Sequence, residues 1–152
     1  LSEPDGPSLA DDSLSSCGLD PYIQVQLGNK LKSQDALVDS GATINSMAEE
    51  LFNCLEGVQL IPSHATIVGF NGSKQSIWEY ADIPVSIHGI VEIYRFHILP
   101  SESTIEEIIL GKQWQRRNNV YLDWANDRVY FDLGDQCTYL PFTTNLDFTM
   151  MG

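Results

Sequence analysis

The sequence predicts a mainly β fold, a small closed β-barrel with one or two short helices. Three observations lead there. Apolar and polar residues alternate with period two along several short runs, as in strands with one buried face. Asn-Gly, His-Gly and Pro positions punctuate those runs as turn signals. Helical periodicity shows in only two brief stretches, too little for a parallel α/β sheet.

Residues 1–18 are rich in Ser, Asp, Pro and Gly and read as a disordered linker. The folded domain is assigned to residues 19–134. Tyr22 to Asn29 alternates and then turns, and Leu31 to Val38 returns as the second strand of a hairpin. Ser46 to Leu55 reads as a short helix, with Ser46 as its cap, Glu49 three positions on, and Met47, Leu51 and Leu55 on one face. Ala65 to Phe70 is a strand that turns at Asn71-Gly72. Ile77 to Tyr80 and Ile83 to Ile87 follow, with Pro84 marking an edge or a strand start. His88-Gly89 turns into Val91 to Leu99, where Val91 and Ile93 are expected to point inward and Glu92 and Tyr94 outward. Gly111 to Arg117 is a short helix, and Val120 to Trp124 with Arg128 to Phe131 forms a last hairpin. Residues 135–152 form a tail, either a dimerisation strand or a linker.

At about 100–200 residues per domain, a chain of 152 residues holds one domain plus tails. It is 43% hydrophobic, enough for a core, without an 18-residue apolar run that would suggest a membrane span. Its start lacks the basic and apolar regions of a signal peptide and an initiator Met, which fits a piece of a longer polyprotein or a trimmed chain. A net charge of −13 repels phosphate backbones and argues against nucleic-acid binding. Cys17, Cys54 and Cys137 are odd in number and lack C-x-x-C spacing, as in reduced cytoplasmic thiols. His64, His88 and His97 do not cluster with them, so neither a metal site nor a cofactor is expected.

The chemistry concentrates in Ala36-Leu37-Val38-Asp39-Ser40-Gly41-Ala42-Thr43. An apolar strand delivers one carboxylate. Gly41 lets the backbone turn closely, and Ala42 keeps the space beside the carboxylate clear. A lone Asp at a strand end is more often a turn residue or a helix cap. Here the flanking pattern favours catalysis by Asp39, in an active-site loop of Ser40, Gly41, Ala42 and Thr43.

This segment resembles the active-site loop of retropepsins, the aspartic proteases of retroviruses and retrotransposons. Ile108-Ile109-Leu110-Gly111-Lys112-Gln113-Trp114, followed by Asn118-Asn119 and Leu122-Asp123-Trp124, is similar to the downstream stretch of gypsy-type long-terminal-repeat retrotransposon proteases. Ile67 to Ser73 resembles the family's flap, whose substrate-binding tip falls on Gly69, Phe70, Asn71, Gly72 and Ser73. An ordinary hairpin is the alternative for that segment. The resemblance covers roughly residues 22 to 132. It implies a retropepsin-type (acid protease) barrel and a homodimer in which Ser40 hydrogen-bonds across the two-fold and Gly41 receives substrate backbone. Relatives that carry an Arg after the Gly brace the loop with it. Lys112 stands there in this chain, and Lys lacks the planar fork of Arg.

Metal-free amide hydrolysis needs one carboxylate to activate water and a second, protonated, to donate to the carbonyl oxygen. The chain supplies one such Asp; Asp132-Leu133-Gly134 has Leu where a hydroxyl is required. A second copy on a two-fold axis completes the pair. Two copies would carry 2 × −13 = −26, so association is expected to strengthen with added salt. The expected function is a homodimeric aspartic endopeptidase that cuts extended segments of a Gag-Pol-type polyprotein in the cytoplasm or within virus-like particles. The alternatives are a non-catalytic dimerisation or peptide-binding module, domesticated on the same fold, and a cellular shuttle-type retropepsin.

Overall fold

A computed structural model describes residues 19–68, 72–104 and 106–143. The linker expected at residues 1–18 lies outside the described residues, as does the part of the expected tail (135–152) beyond residue 143. The first hairpin is β1 (Tyr22–Leu27) and β2 (Lys32–Val38), with Tyr22 opposite Leu37 and Leu27 opposite Lys32. Alternation sets its faces: Ile23, Val25 and Leu27 are buried, while Gln24 and Gln26 meet solvent.

The segment after the Asp39 loop corrects the expected helix. Ser46–Ala48 is a strand, β3, and only Glu49–Phe52 is helical, α1. Ala48 stands at the N-cap with no side-chain cap bond. Two neighbouring strands claim the backbone of Ser46 to Ala48 and bury Met47, so ladder pairing overrides the local cap signal.

The middle of the chain forms β4 (Ile61–Val68), β5 (Lys74–Ile87) and β6 (Ile90–Leu99). The two strands expected around Pro84 are one long strand. Pro84 sits opposite Ile93, just where pairing with β4 has ended at Tyr80 and pairing with β1 begins at Val85. The missing N–H therefore falls on a locally open edge. In β6 the faces are the reverse of those expected. Val91 and Ile93 are 54% and 58% exposed, whereas Tyr94, Phe96 and Ile98 are buried. The bulkier aromatic pair sets the phase, and Val91 and Ile93 take the outer face by alternation.

A single 3₁₀ turn (Ser101–Ser103) leads to β7 (Ile108–Leu110), α2 (Lys112–Arg117), β8 (Tyr121–Asp123), β9 (Arg128–Leu133) and β10 (Gln136–Pro141). The main sheet runs β1-β2-β7-β3-β6-β5 and closes through a β5–β1 pairing. This six-stranded ring is the small closed barrel that the alternation predicts, and β4 hangs on its outside as the first strand of a hairpin with β5. Closure rests on Gln26 opposite Ser86 and Leu27 opposite Val85, with the Gly28 amide donating to the Pro84 carbonyl at 2.9 Å.

Strands β8, β9 and β10 form a separate antiparallel sheet, with β8 and β10 at its edges. Val129, Phe131 and Leu133 face the barrel, where the Phe131 ring lies 5.7 Å from the buried Trp114 ring. Phe142 is buried in the same core, and the Thr143 amide donates to the Tyr22 carbonyl at 2.6 Å. On the outer face Tyr121, Tyr130 and Tyr139 stand in one cross-strand row, with the Arg128 guanidinium over the Tyr139 ring. Among the described residues no helix is long and apolar enough to cross a membrane.

Candidate active site

The end of β2 fixes Asp39. Val38 is buried in the barrel and pairs in parallel with Leu110 of β7, and the Asp39 amide donates to the Leu110 carbonyl at 3.1 Å. The chain then reverses tightly, with the Ala42 amide donating to the Asp39 carbonyl at 3.2 Å. Inside this turn the Gly41 amide donates to Asp39 Oδ1 at 2.8 Å. A Cβ on Gly41 would come within 3.2 Å of the same oxygen, so glycine leaves the carboxylate uncrowded. Ser40 and Thr43 are exposed on the same loop, and Ala42 is half-buried.

The loop rests on the start of α2. The amide of Lys112 donates to the Ala42 carbonyl at 2.8 Å, and that of Gln113 to the Thr43 carbonyl at 3.2 Å. Gly111 makes this approach possible. A Cβ there would meet the Ile44 carbonyl carbon at 2.7 Å and the Ala42 oxygen at 2.9 Å, backbone atoms that cannot swing away. Sequence reasoning missed Asn45. This buried Asn accepts at Oδ1 from the amides of Gly111 (2.9 Å) and Trp114 (3.3 Å), and donates from Nδ2 to the Arg95 carbonyl (3.2 Å). Its own amide donates to Gln113 Oε1 at 2.9 Å. The one sequence cue is a polar residue buried between Ile44 and Met47; its partners lie 50 and more positions away.

Asp39 opens into a cleft of about 700 Å³. The loop after Asp39 supplies Gly41, Ala42, Thr43 and Ile44; β3, β6 and β7 add Ser46, Leu99 and Ile109; and β4 adds Thr66 and Val68. Among the described residues Asp39 is the one charged group lining it. Such a cleft suits an extended apolar segment laid across a carboxylate. Of the expected flap, Gly72 (φ +80°) and Ser73 lie at the β4–β5 turn, while Gly69, Phe70 and Asn71 lie outside the described residues.

Beside the site, the His97 amide donates to the Asn45 carbonyl at 2.9 Å. Burial keeps the His97 imidazole below its ordinary titration range, the Asn45 backbone opposes that shift, and the nearby Arg95 charge adds to it. Its Nδ1 is buried without a hydrogen-bond partner among the described residues. Tyr94 is pushed up to about 12 by burial and by the Glu92 carboxylate that accepts its hydroxyl. Among the described residues no group of three or more His, Cys, Asp or Glu is placed to hold a metal ion.

Residues 35–139 match the family model described as the PEG10/RTL1 protease domain. Among solved structures, the retroviral protease-like domain of Ddi1 from Leishmania major superposes with a TM-score of 0.64 at 18% identity, over 86% of this chain and 98% of that one. The EIAV protease, in complex with the inhibitor HBY-793, superposes with a TM-score of 0.52 at 17% identity, over 65% of this chain and 88% of that one. At these identities the likeness is one of fold. No curated protein sequence matches significantly.

Proposed function

The chain belongs to the PEG10/RTL1 protease-domain family, and from that premise we propose that it is an aspartic endopeptidase, active as a homodimer, that cuts extended segments of a Gag-Pol-type polyprotein. The observation that carries this reading is the Asp39 carboxylate. It lines a cleft that is otherwise uncharged among the described residues, with one oxygen held by the Gly41 amide.

One chain brings one such carboxylate, and a two-fold axis beside the loop would set Asp39 against its counterpart. Two carboxylates about 3 Å apart share one proton. The ionised member takes a proton from water, whose oxygen bonds to the peptide carbonyl carbon. The protonated member donates to the carbonyl oxygen. The C–N bond then breaks and the amine leaves with a proton from the pair. In this scheme Ser40 hydrogen-bonds across the axis and Gly41 receives substrate backbone. Gly69, Phe70, Asn71, Gly72 and Ser73 close over the peptide and exclude water. Thr66 and Val68 already bring the base of that hairpin to the cleft, whose apolar lining favours apolar side chains around the cut.

Self-association is assigned to the terminal sheet and the tail. Among the described residues β8 and β10 are edges, and an unpaired edge is a template for another chain. The domain works in the cytoplasm or inside virus-like particles, without nucleic-acid or membrane partners. One observation favours a second reading: among the described residues the cleft of one chain is lined by a single carboxylate, which alone suits a non-catalytic dimerisation or peptide-binding module on the same fold.

The deciding experiment compares wild type with Asp39→Asn on a precursor or an apolar peptide library across acid to neutral pH, with pepstatin as control. Cleavage that is lost in the variant, and that rises faster than linearly with enzyme concentration, supports the dimeric protease. Peptide binding without cleavage by a folded dimer supports the module.

A further inference from the structure

We propose that Asn45 is a positioning residue for Asp39, a neutral amide clamp whose lack of charge keeps the loop geometry constant through the acid range. The inference rests on the aspartic-protease reading and adds the means by which this chain holds its catalytic carboxylate in place.

Asn45 ties three elements together. Its side chain joins α2 through Gly111 and Trp114, and β6 through the Arg95 carbonyl. Its backbone joins Gln113 of α2 and His97 of β6. The clamped segment is the one that holds the loop: the Leu110 carbonyl receives the Asp39 amide, and the Lys112 amide reaches the Ala42 carbonyl. Loss of the clamp frees Gly111, which lies between these two contacts. Among the described residues, every hydrogen bond across this seam joins neutral groups. An Arg–carboxylate brace would weaken as its acid protonates, in the same range in which a carboxylate pair must work.

Substitution by Asp tests the neutrality directly, because a carboxyl has the shape of the carboxamide. Protonated, it still accepts from Gly111 and Trp114 and donates its O–H to the Arg95 carbonyl. Ionised, it loses that donor and sets an oxygen against the carbonyl. The charged or titratable groups around it give little relief. The Arg95 guanidinium is held by Asp82 at 3.0 Å and stacked over Tyr80, burial pushes His97 below its ordinary titration range, Lys112 is exposed, and Asp39 is itself acidic.

The experiment measures kcat and KM for Asn45→Asp relative to wild type across acid to neutral pH. Alongside it, the Gly41 amide resonance is followed by NMR, since that N–H is bonded to Asp39 Oδ1. The expected result is a kcat ratio near one at acid pH that falls about tenfold or more towards neutrality with KM little changed. The Gly41 resonance should move in a step absent from wild type. A ratio and a resonance that follow wild type at every pH would overturn the proposal. Gln113→Met removes only the acceptor of the Asn45 amide and serves if the first variant does not fold. It should lose about threefold in kcat at all pH with an unchanged melting temperature, and an unchanged kcat counts against the clamp. If wild type cleaves nothing, the protease reading fails by itself, and the Gly41 resonance still decides whether Asn45 positions the loop.

Discussion

The two sides of the cleft are built in opposite ways. On one side the Asp39 loop lies against α2 and β6 through a run of buried backbone bonds, with Gly111 so close that no side chain fits. On the other, the β4–β5 hairpin leaves the barrel with Thr66, Ser76 and Val68 exposed, Val68 at 63%. The Gly72 Cβ position has open space around it. A carboxylate must be held to a fraction of an ångström, whereas a cover must let a chain in. The difference shows that precision and access are divided between the two sides of the cleft.

The sharpest way to break that comparison starts at the carboxylate. Asp39→Asn is expected to lower cleavage by about 10³-fold or more while leaving thermal stability near wild type. A large drop in melting temperature would mean that Asp39 is structural. Next comes the seam. Gly111→Ala forces the backbone of Ile44 and Ala42 aside and should cost about 3 kcal/mol in urea unfolding. A wild-type midpoint would show that the seam yields. The seam also carries a pH signature. The folded-state pKa of His97 lies below its ordinary 6.5, so the unfolded chain binds the extra proton first. Stability is full above about 6.5 and declines as the pH falls from there towards the folded value. His97→Gln should flatten that decline in thermal melts across the acid range. The smallest effects belong to the hairpin. Gly72→Ala, at positive φ but in open space, should cost about 1 kcal/mol. Val68→Ala should change stability by less than about 0.5 kcal/mol and show mainly in KM.

What was legible in the sequence follows from the range of the forces involved. The β1–β2 hairpin, α2 and the β8–β9 hairpin are set by alternation and turn residues within a few positions, and they stand where the sequence puts them. Asp39 was legible because its loop is contiguous. Ser46 misled because its cap-like spacing is local, whereas the strand pairing that wins comes from His97 to Leu99 and Ile108 to Ile109. The phase of β6 was misread from its first residues, Val91 and Ile93, because Phe96 and Ile98 further on decide which face is filled. Asn45 left almost no trace, since its partners are far off in sequence and a single Asn carries no spacing.

The Thr143 amide on the Tyr22 carbonyl brings the two ends of the described residues together at one corner. By the same geometry, a short bridge from residue 143 to residue 20 with a cut at the exposed His88-Gly89 turn should give a permuted chain that keeps the barrel, a rearrangement that neighbouring ends tolerate well.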